Sequence, residues 1–283
     1  MWTRAELKDQ AKAVLKKSYW KAFLVSLILA FIGGGSGGSG GNSRFNFDGS
    51  SGSFNDFTNG FEQGYNGTGN VDMSGLDGVD LSFIFIFLGI FLLIFLAIIL
   101  FRVLVGTVIE VGCQKYFVKA TEEEFSINHV MSGFKKGKYG NIVLTMLYRG
   151  VLLFLWTLLL IIPGIIKSYA YRFVPYILAD NPEITPKRAI EISNQMTNGQ
   201  KFEMFVLDLS FIGWYILGTL ALFVGVLFVN PYVNQTFAQL YVTLRGDIIK
   251  SGQSSYAEFN LATPEDIPVV SDEWESVFDR EDY

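Results

Sequence analysis

Residues Leu158–Trp214 read LLLIIPGIIKSYAYRFVPYILADNPEITPKRAIEISNQMTNGQKFEMFVLDLSFIGW. Two apolar runs meet at Pro163-Gly164, a polar stretch follows, and apolar sequence resumes at Phe205. This is the pattern of membrane sequence folded back on itself. A single helix over residues 141–179 would be roughly 58 Å long, about twice the apolar core of a bilayer. It has to break. Pro163 removes a helix donor and Gly164 loosens the backbone, so the spacing predicts a hairpin of two spans turning there. A kinked or re-entrant segment is the other reading of the same residues.

Downstream, Thr185 fits an N-cap, Pro186 the first helical position, and Asn198-Gly199 a stop, which together predict a short helix outside the membrane. Its Ala189, Ile192 and Met196 fall on one face. Phe202–Val229 reads as a fifth span, Asn230-Pro231 as a break, and Pro231–Ile249 as a sixth span rich in amides: Asn234, Gln235 and Gln239. Such a helix survives in a bilayer only by turning its amides toward protein or water.

Upstream, Leu81–Phe101 is an uncharged apolar run of helix-spanning length. The segment after it carries Lys115, Lys119, Lys135, Lys136 and Lys138; its GFKKGKYG lacks phosphate-loop spacing and reads as a cytosolic basic connection. Near the start, Thr3 and Glu6 form a capping box for an amphipathic helix with Leu7, Ala11, Val14, Leu15 and Ser18 on one face. Tyr19, Trp20 and Lys21 mark the headgroup level, and a short first span runs from Ala22 to about Ile32. No signal-peptide cleavage site is recognisable after it. Residues 33–80 are rich in Gly, Asn and Ser, with Phe45, Phe47, Phe54, Phe57, Phe61 and Tyr65 interspersed, and read as a flexible external loop.

The division expected is therefore an amphipathic N-terminal helix at 1–21, a six-span domain at 22–250 with a cytosolic helix-bearing loop at 180–201, and an acidic cytosolic tail at 251–283. The fold class is all-α, with the spans arranged as helical hairpins that each begin at an aromatic and a lysine: Tyr19-Trp20-Lys21, Lys138-Tyr139 and Lys201-Phe202. Six spans place every basic segment on one side, so both termini are expected in the cytosol of a multi-pass plasma membrane protein.

Composition agrees: half of the 283 residues are hydrophobic, and the mean hydropathy is +0.34. The net charge of −5 averages basic membrane flanks with an acidic loop and tail and carries no sign of nucleic acid binding. One cysteine, Cys113, excludes an intrachain disulfide. His129 stands in a basic loop, and no hydrolase or metalloprotease motif occurs. A cofactor or metal is not expected.

Candidate chemistry lies with ionisable and amide residues at membrane depth, which are paired or functional by default. Arg149 and Asp208 fall at similar depth and are natural partners. Lys167, near the outer surface, and Arg172, deeper, join Asn234 and Gln239 as residues that can line a polar cavity for a small anionic solute or lipid. In the tail, Trp274 and Phe278 lie four residues apart and form one apolar edge for a protein partner. Gly213, Gly218 and Gly225 read as helix-packing positions.

The blocks MWTRAELKDQAKAVLKKSYWKAFLVSLI, IIPGIIKSYAYRFVPYILADNPEITPKRAIEIS and KFEMFVLDLSFIGW, with VNPY after the last, resemble a DUF-type family of Gram-positive bacterial integral membrane proteins of unknown function. The resemblance implies a polytopic plasma membrane protein and brings no catalytic residues or ligand. The helical layout is also remotely similar to the membrane domain attached to some glycerophosphodiester phosphodiesterases, without their enzyme domain. The first expectation for function is a non-enzymatic scaffold or regulator, the second a carrier or binder of a small anionic solute or lipid, and the third a membrane enzyme.

Overall fold

The structure, a computed structural model, describes residues 2–32, 81–135, 137–220 and 224–263. The readings of the Gly-rich loop at 33–80 and of Trp274 and Phe278 lie outside them. Among the described residues the elements are helical: α1 (Arg4–Ile32), α2 (Leu81–Phe101), α3 (Thr107–Thr121), α4 (Tyr139–Leu159), α5 (Ile161–Ala170), α6 (Val174–Asp180), α7 (Pro186–Met196), α8 (Lys201–Leu220) and α9 (Val224–Lys250). A π-helical turn occupies Arg102–Gly106, and 3-10 turns occupy Ile127–Phe134 and Ala257–Phe259.

The chain forms two compact units. In the unit that ends at Phe101, α2 exposes apolar side chains around its whole circumference, with Phe87 at 73 % and Phe91 at 67 %. A helix apolar on every side needs a non-aqueous neighbour. Among the described residues three helical stretches are long and apolar enough to cross a bilayer, Phe85–Thr121, Tyr139–Leu159 and Lys201–Leu220, and they point to a membrane protein.

The other expected spans take different forms. Residues 22–32 continue α1 beyond a kink at Ser18 (φ −150°, ψ 44°). Thr3 Oγ1 accepts the Glu6 N–H at 3.3 Å, half of the capping box. Leu7, Ala11 and Leu15, then Ala22, Val25 and Leu29, are buried, because α1 packs along α9 and α3. Its apolar face is covered by protein.

The chain does turn back on itself, but at Leu160, which is extended (φ −161°, ψ 141°), and with only its first arm of spanning length, so the two-span form predicted is not seen. Pro163 sits in the first turn of α5, where a missing N–H leaves no helix bond unmade. Gly164 lets the arms close: a Cβ there would stand 3.0 Å from Thr157 Cα. The return arm α5 has ten residues, about 15 Å, half of a bilayer core. By itself it is too short to cross, and residues 169–179 are all buried.

Thr185, Pro186 and Gly199 (φ +75°) bound α7 as read. Pro231 does not break the chain. It lies buried inside α9, where packing against α1, α3 and α8 outweighs one lost backbone bond. Gly218 permits the close approach of α8 and α9, since a Cβ there would meet Val226 N at 2.8 Å. Gly213 has open space instead.

The start of the acidic tail is docked. Phe259 is 1 % exposed, Arg188 Nε and Nη2 donate to Glu258 at 2.6 and 3.0 Å, and Asn260 Nδ2 donates to the Asp180 carbonyl at 3.1 Å. Charge averaged over the tail hides this apolar anchor. Hydrogen bonding from Arg188 holds the Glu258 carboxyl down at about 2. A depressed carboxyl stabilises the docked form above its free value of about 4.3 and loses that contribution as pH falls toward the folded value. Protection of the Phe259 and Asn260 amides, corrected for intrinsic exchange, should therefore hold from pH 7 to about 5 and disappear between about 4 and 2. Glu258→Gln should lower it already at pH 7; unchanged protection in that variant would mean that the ion pair does not hold the segment.

Candidate intramembrane polar site

The first turns after α5 carry the site. Tyr169 lies in the last turn of that helix, Arg172 lies in the Tyr171–Phe173 turn, and Asp208 projects from α8 opposite them. Arg172 Nη1 and Nη2 donate to Asp208 Oδ2 and Oδ1 at 2.7 and 3.0 Å, and the Tyr169 hydroxyl donates to Oδ2 at 2.9 Å. The guanidinium lies 3.6 Å from the centroid of the Phe237 ring. Arg172 is 5 % exposed. A bidentate pair with a further donor and an aromatic face satisfies the guanidinium strongly.

The expected partnership of Arg149 with Asp208 is thus replaced. Arg149 Nη1 stands 3.6 Å from Glu110 Oε1 on α3. Equal depth along two helices does not make partners; the rotation of each helix does, and the buried Ile142–Thr145–Met146 face of α4 turns Arg149 toward α3. Lys167, expected near the far surface, lies over the rings of Trp156 and Tyr171 at 5.0 and 5.8 Å. The short return arm accounts for this. The amides face protein, as anticipated: Asn234 Nδ2 donates to Ser26 Oγ at 3.0 Å, Gln235 Nε2 to the Phe117 carbonyl at 3.3 Å, and Gln239 is 9 % exposed.

A second charged group was not singled out by sequence. Asp180 Oδ2 accepts from Tyr241 OH and Arg245 Nη1, both at 2.7 Å, and Arg245 Nη2 reaches Glu122 at 3.4 Å. Burial pushes the Asp180 carboxyl up against the opposing charge of Arg245. The available signal was an aspartate closing an apolar run and an arginine inside an amide-rich helix. Several buried polar atoms have no hydrogen-bond partner among the described residues: both amide atoms of Gln114, Thr145 Oγ1, Arg149 Nε, Gln195 Oε1 and Gln235 Oε1. Among the described residues no cluster of His, Cys, Asp and Glu is arranged to hold a metal.

Residues 157–247 match a family model described as "Protein of unknown function (DUF975)". The match covers roughly a third of the chain and includes both members of the Arg172–Asp208 and Asp180–Arg245 pairs. No curated protein and no solved structure matches the chain.

Proposed function

We propose that the chain is a non-enzymatic scaffold or regulatory component of the plasma membrane, multi-pass with cytosolic termini, that engages protein partners through its acidic C-terminal residues. The observation that carries this reading is the mutual neutralisation of the deep charges. Arg172 is held by Asp208, Arg149 by Glu110 and Arg245 by Asp180, so these cations serve helix registration rather than wait for an anionic substrate.

A second reading, a binder or carrier of a small anionic solute or lipid, draws on the buried unpartnered atoms of Gln114, Thr145, Arg149 and Gln235. A polar ligand or ordered water would satisfy them. Mass spectrometry of what co-purifies with the gently extracted protein separates the two. Because Ser251–Leu261 is docked, the truncated comparison belongs after Thr263, which leaves Phe259 and Glu258 in place. Protein partners lost with residues 264–283 are expected. A stoichiometric solute or lipid that survives this truncation and disappears with Arg172→Ala would put the carrier reading in its place.

A further inference from the structure

Lys135 and Lys138 close one turn, in which the Lys138 N–H donates to the Lys135 carbonyl at 3.2 Å, and the 3-10 segment leading into it packs on α3, where Gly112 lies against the Val130 carbonyl. Lys115, three residues on from Gly112, is thereby brought within electrostatic reach of Lys135, Lys138 and Lys119. Lys119 is neutralised by Glu122 at 2.7 Å, with Glu124 at 4.0 Å. Glu124 also meets His129 at 2.9 Å. Asp180, the other carboxylate facing Lys115, is occupied by Arg245 and Tyr241. Among the described residues, Lys115, Lys135 and Lys138 have no carboxylate within salt-bridge distance. Three like charges held together in a folded protein repel one another unless an anion lies between them.

The surroundings indicate which anion. The lysines stand at the first turn of α4, a helix long and apolar enough to span a bilayer, and that turn has no side-chain cap. Phe134 and Tyr139 pack together with ring centroids 6.1 Å apart, and Tyr139 donates to the Leu104 carbonyl at 3.0 Å. Aromatic rings and lysines at the end of an apolar span are the mark of a membrane interface. On the segment before this turn Ile127 and Met131 are exposed, and so is Leu144 on α4. Free phosphate would use only the ammonium groups; a phospholipid would use the apolar side chains as well. Gly137 (φ +89°) and Gly140 have open space above the same turn.

We propose that Lys115, Lys135 and Lys138 form a binding site for the phosphate headgroup of an anionic phospholipid, whose acyl chains lie along Met131 and Leu144. The site rests on the membrane reading of α4 and is independent of the Arg172–Asp208 pair. Clustered lysines beside a span attract anionic leaflets in this way, with a contribution from each cation that salt screens.

The test uses the full chain in mild detergent, given equal amounts of phosphatidylglycerol and phosphatidylcholine, with retained lipid counted by native mass spectrometry. The wild type should retain phosphatidylglycerol at least tenfold over phosphatidylcholine. The triple variant Lys115→Gln, Lys135→Gln, Lys138→Gln should lose that preference. A control variant with the same charge change at the exposed Lys16, Lys187 and Lys250 should keep it. If the triple variant does not fold, Lys135→Gln alone, at an exposed position, should lower retention severalfold. Equal retention of both lipids by the wild type, unchanged retention in the triple variant, or equal loss in the control overturns the proposal. So does displacement of the lipid by an equimolar amount of inorganic phosphate. A wild type that partitions into the aqueous phase on detergent phase separation would sink the membrane reading. One that partitions into detergent without selecting the anionic lipid sinks only this site.

Discussion

Asp208→Ala should lower stability by about 3–5 kcal/mol, the cost of leaving a buried charge without its counter-ion. Arg172 is 5 % exposed, and the Asp208 side chain 16 %. Removing the carboxylate strips two hydrogen bonds from the guanidinium and one from the Tyr169 hydroxyl. The cation–π contact with Phe237 remains, but it is worth about 2 kcal/mol at best and cannot replace the pair. Thermal unfolding in detergent should move down by about 10 °C. Asp208→Asn keeps one acceptor and should fall between. The triple change Asp208→Leu, Arg172→Met, Tyr169→Phe removes these three polar groups together and should recover most of the loss, since an apolar replacement of a buried pair is often neutral. Asp208→Ala unfolding at the wild-type temperature would show that the pair contributes nothing. Failure of the triple change to recover stability would point to the guanidinium's stacking on Phe237 as the main contribution.

The contrast between what sequence showed and what it concealed follows from the range of each signal. Thr185, Pro186 and Gly199 bound α7 as read because N-caps, first-turn prolines and left-handed stops act within a few residues. That the chain turns back was legible for the same reason, yet the turn fell at Leu160, an ordinary residue. Pro163 is compatible with a break and equally with a first helical turn, and only the close contact of Gly164 with Thr157 distinguishes them. Pro231 shows the reverse: a breaker by local rules, it is carried inside α9 by burial on three neighbouring helices.

Charge pairing was legible in kind and not in detail. Depth along a helix is counted in residues, so Arg149, Arg172 and Asp208 could be recognised as deep. Which of them meet depends on helix rotation and on the length of α5. A full-length return arm would have carried Arg172 elsewhere; a ten-residue arm sets it opposite Asp208. Glu110, the partner of Arg149, follows an apolar run, and nothing near it in sequence indicates α4.

Gly112→Ala should detach the 3-10 segment Ile127–Phe134 from α3 and lower stability, although alanine is the better helix former. The two effects compete at one atom. In a helix interior, alanine is favoured over glycine by about 1 kcal/mol. Against this, a Cβ at 112 would lie 2.0 Å from the Val130 carbonyl oxygen and 2.7 Å from its carbon. These are backbone atoms, and no rotamer change moves them; either the segment shifts by more than 1 Å or α3 does. Over-packing a tight contact typically costs about 1–3 kcal/mol, and here the shift also disturbs Gly133, whose own approach to Val108 and Ile142 leaves no slack. The clash therefore wins, and amide exchange should rise across residues 127–134 while α7 and α9 stay protected. Because Lys135 follows directly on this segment, the same variant should weaken selection of anionic lipid, whereas Gly140→Ala, with open space around its Cβ, should leave it intact. A stabilised Gly112→Ala protein would mean that α3 and the Ile127–Phe134 turn do not pack this closely, and would remove the frame on which the three lysines are held together.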